Sequence, residues 1–279
     1  MTFQRHTARK RFGQHWLRDP QVLGNILLAA DLRSVDRVLE IGPGKGALTE
    51  KLLDSSASSV HAVEIDRDLV DFLRRRFVNQ SRFTLVQGDV LKVPLTFPDG
   101  ALATKVVANI PYNITGPLLE KLLGSLSSPV AKPYELLILL LQKEVANRIT
   151  ANPGDKSFSS LSVRLQLMAY CRKVCSVPPR CFVPPPKVHS EVIAIEPFNS
   201  EKYLEPGLAR RIEILLRKAF LSRRKMLRNT LKDICPLEEL ELIAQDVGVD
   251  LQQRPQEIPP LKWLEFAKAL NSLESFHME

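Results

Sequence analysis

The sequence predicts an α/β fold in which a mostly parallel sheet is interleaved with helices and followed by a smaller all-helical domain. Three observations carry this expectation. Short apolar runs alternate with helical periodicity from about residue 21 to 141. A glycine-rich turn, EIGPGKG at 40–46, links a strand to a helix. After Pro197 the pattern turns helical. At 279 residues the chain suits one α/β domain with an appendage.

In chain order, the expected strands are Arg37–Ile41, Val60–Ile65, Thr84–Gln87, Lys105–Ala108 and Glu135–Leu141, with helical stretches at Leu48–Leu53, Arg67–Phe77 and Pro117–Leu123. VHSEVIAI at 188–195 alternates in strand fashion and adds a final antiparallel strand. The prolines of VPP (177–179) and VPPP (183–186) stiffen those segments into extended loops. Gly/Pro breaks fall at 206–207 and 255–260, and a domain boundary is expected near residue 200, giving domains 1–199 and 200–279.

Hydrophobic content of 44% and charged content of 25% are ordinary for a globular protein, so disorder is not the expectation. No apolar run reaches the 18 residues of a membrane span. The N-terminus is basic without a signal peptide's apolar core, which points to the cytoplasm. Cys171, Cys175, Cys181 and Cys235 form no zinc-ligand spacing, so reduced thiols and no metal are expected.

The formal charge of +8 sits in one place. Residues 210–232 hold nine Lys/Arg against one acid, Glu213, and the rest of the chain balances 30 against 30. Such confinement points to a polyanion-binding face. Arg210, Arg217 and Arg224 recur every seven residues, as do Arg211, Lys218, Lys225 and Lys232, which puts them on one helical face opposite Ile212, Leu216, Phe220, Leu227 and Leu231. A polar turn is expected at 222–225. Arg5, Arg9, Lys10, Arg11 and Arg18 form a second basic cluster.

EIGPGKG alone is a weak signal, since several nucleotide-binding folds use a glycine-rich turn. Two features favour a methyltransferase. The spacing is GxGxG, preceded by Glu40, and acids or amides recur after successive strands at Glu64, Asp89 and Asn109. In a doubly wound sheet these strand ends converge on one crevice. Glu64 is placed to accept two ribose hydroxyls, and Asp89 to accept from an adenine amine. No GK[ST] follows the glycines, which disfavours a triphosphate.

NIPYN at 109–113 resembles the [DNS]PPY motif of methyltransferases acting on exocyclic amines. Such an amine is a poor nucleophile because its lone pair is delocalised. It needs hydrogen-bond acceptors, which the Asn109 side-chain oxygen and the Ile110 carbonyl supply, while Tyr112 stacks on a flipped base.

With KRFGQHWL (10–17), EIGPGKGALTE (40–50), VEIDRDL (63–69), GDVL (88–91), NIPYNIT (109–115), LLQKEVANR (140–148), LSV (161–163) and PPRCFVPPPKVHSEV (178–192), the chain resembles the bacterial small-subunit ribosomal RNA adenine dimethyltransferases over nearly its full length. That resemblance implies a class I S-adenosylmethionine-dependent methyltransferase with a seven-stranded, mostly parallel sheet. Its cofactor contacts would be His15, Leu17, Gly42, Glu64, Asp89 and Asn109. The target base would be gripped by Asn109, Tyr112 and Phe182. RNA contacts are expected from Arg210, Arg217, Arg224, Lys225 and Arg228. The substrate implied is a pair of adjacent adenosines near the 3′ end of 16S RNA in an immature small subunit, and the enzyme is expected as a monomer. His15 stands where many relatives have Asn, and Ser159 where the family often has Gly, which bears on loop 152–160. Large-subunit resistance methyltransferases share EIGxGxG and NIPY, but LLQKEVANR and PPPKV favour the small-subunit enzymes. A nucleic-acid-binding assembly or transcription factor with a vestigial pocket is the reading from a different class.

Overall fold

The computed structural model describes residue 9 and residues 13–131 and 134–270. Its strands are β1 (Trp16–Leu17), β2 (Arg37–Ile41), β3 (Ser59–Glu64), β4 (Phe83–Gln87), β5 (Lys105–Asn109), β6 (Leu136–Gln142), β7 (Ala169–Val177), β8 (Phe182–Val183) and β9 (Ser190–Pro197). Its helices are α1 (Pro20–Ala30), α2 (Ala47–Asp54), α3 (Arg67–Arg76), α4 (Thr115–Leu123), α5 (Lys143–Ile149), α6 (Ser160–Gln166), α7 (Pro206–Phe220), α8 (Leu227–Thr230), α9 (Leu237–Asp246) and α10 (Pro260–Ala269). Arg5, Lys10 and Arg11 of the N-terminal basic cluster lie outside the described residues.

Seven strands form one sheet in the order β4-β3-β2-β5-β6-β9-β7. β4, β3, β2, β5 and β6 run parallel, and β9 pairs antiparallel with β6, Leu139 facing Ile193. This is the mostly parallel seven-stranded sheet expected. β6 reads LLILLLQ because a central strand covered on both faces has no polar side to show, and Leu136–Leu141 are all buried. Two helices start on aspartates that satisfy free N–H groups: Asp19 accepts from Gln21 and Val22 ahead of α1, and Asp66 accepts from Asp68 ahead of α3.

β7 escapes the sequence reading, for a physical reason. AYCRKVCSV is an edge strand with charges at its centre, so neither an apolar run nor clean alternation marks it. The two-residue β1–β8 pair was also unexpected. It joins Leu17 to Phe182 at the entrance to the VPPP loop.

The chain forms two compact units. The first comprises residues up to 122 with 134–146 and 172–197; the second comprises 123–133, 147–171 and 198 onward. In the second, Trp263, Phe266, Ile212, Leu215, Leu216 and Phe158 are buried. Here the single basic helical face needs correcting. α7 ends at Phe220, and residues 221–226 turn before the four-residue α8. SRRK at 222–225 offers nothing apolar to bury. Instead, the Arg223 guanidinium donates to the Lys156 and Phe158 carbonyls at 2.9 and 2.8 Å. Heptad spacing therefore aligns Arg210 with Arg217 within α7 but does not extend to Arg224, Lys225 or Lys232. The same bonds brace loop 152–160. Ser159 there has φ −151°, ordinary extended backbone, so the glycine common in relatives is not required. Its N–H donates to Ser162 Oγ at 2.9 Å and opens α6.

Candidate active site

The carboxyl ends of β2, β3 and β5 deliver their functional residues to a cleft of about 340 Å³. It is lined by His15, Trp16, Gly42, Gly44, Glu64, Asp89, Asn109, Ile110, Pro111 and Tyr112, among others. Gly42 and Gly44 hold φ values of +68° and +59°. Gly44 could carry no side chain in any case, because a Cβ would meet Trp16 Cδ1 at 2.7 Å. The glycines thus let the turn pass close under the Trp16 ring at the edge of the cleft.

Glu64 ends β3 buried, and its two oxygens accept from the Gly44 and Asp66 N–H groups at 3.1 and 2.9 Å. Burial pushes its carboxyl above the usual range, against the pull of those donors. A carboxylate has about four acceptor positions, so these two bonds do not exhaust its capacity to accept. Asp89 Oδ1 accepts from Leu91 N–H at 3.0 Å and turns the chain after β4.

Asn109 ends β5. Its Nδ2 donates to the His15 carbonyl at 2.9 Å, and since a carbonyl only accepts, this settles which way the amide points. The Tyr112 ring lies near-parallel to that of His15, with centroids 5.9 Å apart at 23°. His15 Nδ1 donates to the Pro184 carbonyl at 2.8 Å.

Of the residues expected from the sequence, His15, Gly42, Glu64, Asp89, Asn109 and Tyr112 share this cleft. Leu17 does not; it borders an adjoining groove with Trp16, Glu40, Gly42 and Asn109. Phe182 does not either. Its ring is 2% exposed and packs in the core with Leu17, Val22, Leu23 and Ile26. Arg210, Arg217, Arg224, Lys225 and Arg228 are all exposed, as a polyanion-binding role requires.

Sequence reasoning missed a clamp on the N-terminal segment. Gln14 Nε2 and Arg9 Nη1 donate to the two oxygens of Asp66 at 2.9 and 2.6 Å, and Arg9 also pairs with Asp68 at 2.5 Å. The acids of VEIDRDL were the available signal, since Asp66 follows Glu64 by two residues. Trp16 was also passed over. It packs on Gly44, with Lys45 Nζ 4.1 Å from its ring centre.

Glu40, 1% exposed, has one oxygen without a partner among the described residues. Burial, aided by the nearby Glu64, pushes its carboxyl up to about 8. The folded chain then keeps a proton that the unfolded chain has lost between about pH 4.5 and 8. From this group, stability falls as pH rises through that window, by at most ~1.4 kcal/mol per pH unit. Urea titrations at pH 5 and pH 8 should show the wild type losing stability relative to Glu40→Gln; parallel losses would contradict the assignment.

The comparisons with known proteins give the chain's family. The family model described as ribosomal RNA adenine dimethylase matches residues 5–272. The chain is 66% identical over 271 residues, 97% of each protein, to the ribosomal RNA small subunit methyltransferase A of Prochlorococcus marinus strain MIT 9303. Among solved structures, it is similar to a dimethyladenosine transferase from Plasmodium falciparum at 28% identity and a TM-score of 0.77, covering 92% of this chain and 98% of that one. It is also similar to the 23S rRNA methyltransferase ErmE at 28% identity and a TM-score of 0.74, covering 92% and all of that chain. With a matching family model over nearly its whole length and a 66% identical relative covered to 97%, the chain belongs to the ribosomal RNA adenine dimethylases.

Proposed function

We propose that this enzyme moves two methyl groups, one at a time, from S-adenosylmethionine to the N6 amine of each of two adjacent adenosines near the 3′ end of 16S RNA. It would act as a cytoplasmic monomer on an immature small subunit. The observation that carries the reading is the single cleft in which Glu64 and the Asn109–Tyr112 turn face the same space. The small-subunit target rests on the 66% identical relative, against 28% for the 23S enzyme.

The residues present fit the cofactor: Glu64 for the ribose hydroxyls, Asp89 for the adenine amine, and the backbone around Gly42 and His15 for the rest, with Leu17 bordering the adjoining groove. Bound S-adenosylmethionine supplies an electrophilic methyl on a positively charged sulfur. The chain's own contribution is placement. Because Asn109 spends its Nδ2 on His15, its Oδ1 is left to accept one N6 hydrogen, and the Ile110 carbonyl accepts the other. Held so, the amine lone pair is directed at the methyl carbon. The chain's own part would be to hold the N6 hydrogens at Asn109 Oδ1 and the Ile110 carbonyl until one amine proton is given up to water. Tyr112 stacks on the base, worth about 1–3 kcal/mol against a flipping cost of a few. Phe182 is a residue of β8, paired with Leu17 and buried in the core, so the stacking falls to Tyr112.

The exposed Arg210, Arg217, Arg224, Lys225 and Arg228 would hold RNA phosphates, making residues 1–199 the catalytic part and 200–279 the RNA-binding part. Neutralising Arg217, Arg224 and Lys225 together should weaken RNA binding and leave S-adenosylmethionine affinity unchanged. If each meets a phosphate, the slope of log affinity against log salt flattens by roughly two to three units. An unchanged slope would return these residues to a merely solvated surface. Base choice should survive, since phosphate contacts position and do not specify.

The reading as a whole is tested by incubating the purified chain with methyl-labelled S-adenosylmethionine and unmodified ribosomal subunits. Label should appear as dimethyladenosine at two adjacent positions of 16S RNA. Label in 23S RNA would move the enzyme to the large subunit.

A further inference from the structure

Tyr112 carries a hydroxyl for which base stacking has no use, and the structure gives that hydroxyl a partner. It shares a 2.5 Å hydrogen bond with Ser190 Oγ, on a residue 78 positions away. Ser190 is fully buried, at 0% exposure, and opens β9 opposite Gln142 of β6. The preceding residue is also fastened, as the His189 carbonyl accepts from Lys143 N–H at 3.0 Å. Ser190 is therefore a fixed point of the sheet. Tyr112 is not on the sheet. It begins a single 3-10 turn, Tyr112–Ile114, whose backbone is tied by Ile114 N–H to the Pro111 carbonyl at 3.2 Å. Its ring is only partly buried and faces the cleft.

A ring on a short turn has two soft torsions, and stacking needs its plane held at one tilt and height. The backbone sets where the side chain starts, and the Ser190 bond sets where it ends. We propose that Ser190 is a positioning residue that holds the Tyr112 ring at the tilt at which the flipped adenine stacks in line for transfer. The second methyl is the more sensitive step. The monomethylated amine has one hydrogen left to hold, so it depends more on the base plane being fixed. This proposal rests on the reading of Tyr112 as the stacking residue.

The test is a double-mutant cycle on the full-length enzyme with small subunits as substrate, reading kcat, KM and the ratio of dimethyl- to monomethyladenosine. Ser190→Ala should lower kcat about tenfold, shift product towards monomethyladenosine, and leave S-adenosylmethionine affinity unchanged. Tyr112→Phe, which keeps the ring and loses the hydroxyl, should do the same. Adding Ser190→Ala to Tyr112→Phe should cost nothing more. Ser190→Thr, which keeps a hydroxyl, should restore the dimethyl product. With 2-aminopurine at the target position, Ser190→Ala should weaken the quenching that stacking causes. Equal losses from Ser190→Ala in both backgrounds would make its role general packing and overturn the proposal, as would wild-type kcat and product ratio in Ser190→Ala. Tyr112→Ala separates the two readings: if it is as active as wild type, the stacking assignment itself fails; if it is inactive while Ser190→Ala is normal, only the Ser190 assignment fails.

Discussion

Replacing Asn109 by alanine should lower turnover at saturating S-adenosylmethionine by about two orders of magnitude or more, while the folded protein still binds RNA. The magnitude follows from placement, because misdirecting a reacting group by about an ångström costs on the order of a hundredfold. Asn109 bears on the transfer in two ways. In the proposed role its Oδ1 accepts from the substrate amine, and its Nδ2 is fastened to the His15 carbonyl at 2.9 Å, which would hold the acceptor before the base arrives. Alanine removes both. The residual product should be enriched in monomethyladenosine, because the second transfer has a single hydrogen for the remaining Ile110 carbonyl to hold. Single-turnover assays with mass spectrometry of the nucleosides measure both effects. Wild-type turnover in the variant would sink the proposed role of the NIPY turn.

The second large effect is expected at the other end of the cleft. Glu64→Ala should weaken S-adenosylmethionine binding at least a hundredfold, since hydrogen bonds to a charged acceptor contribute about 1.5–3 kcal/mol each and two ribose hydroxyls lose theirs. Glu64 also braces the glycine turn through the Gly44 and Asp66 N–H groups, so part of the loss comes from a loosened turn. Calorimetric titration measures the affinity, and a matching thermal melt shows whether the fold survives. An intact melt with unchanged affinity would leave Glu64 as a strut of the turn and remove it from the cofactor site.

The parts of this structure that were legible in the sequence are those where one physical demand acts alone. β5 and β6 are buried on both faces, so the apolar runs VVA and LLILLL mark them. Glu64, Asp89 and Asn109 could be grouped before any coordinates because parallel strands must all end on the same side. Where demands compete, legibility fails. β7 lies at a sheet edge and carries Arg172 and Lys173 in mid-strand. The polar turn expected at 222–225 is present, but the basic heptad does not keep one face across it, because α7 ends at Phe220 and Arg223 bonds the Lys156 and Phe158 carbonyls. Phe182 was expected in the cleft on resemblance alone, and its ring is in the core, because its two-residue strand pairs with Trp16–Leu17. The Tyr112–Ser190 bond spans too much sequence for any local pattern to announce it.

The central claim is that this chain places both methyl groups on adjacent 16S adenosines through the Asn109 turn. It is tested most directly by mapping dimethyladenosine in ribosomal RNA from cells lacking the chain, complemented with either the wild type or Asn109→Ala. The account predicts that the two adjacent dimethyladenosines near the 3′ end of 16S RNA vanish in the deletion, return with the wild type and stay absent with the variant. Full dimethylation in the deletion, or its return with Asn109→Ala, would contradict it.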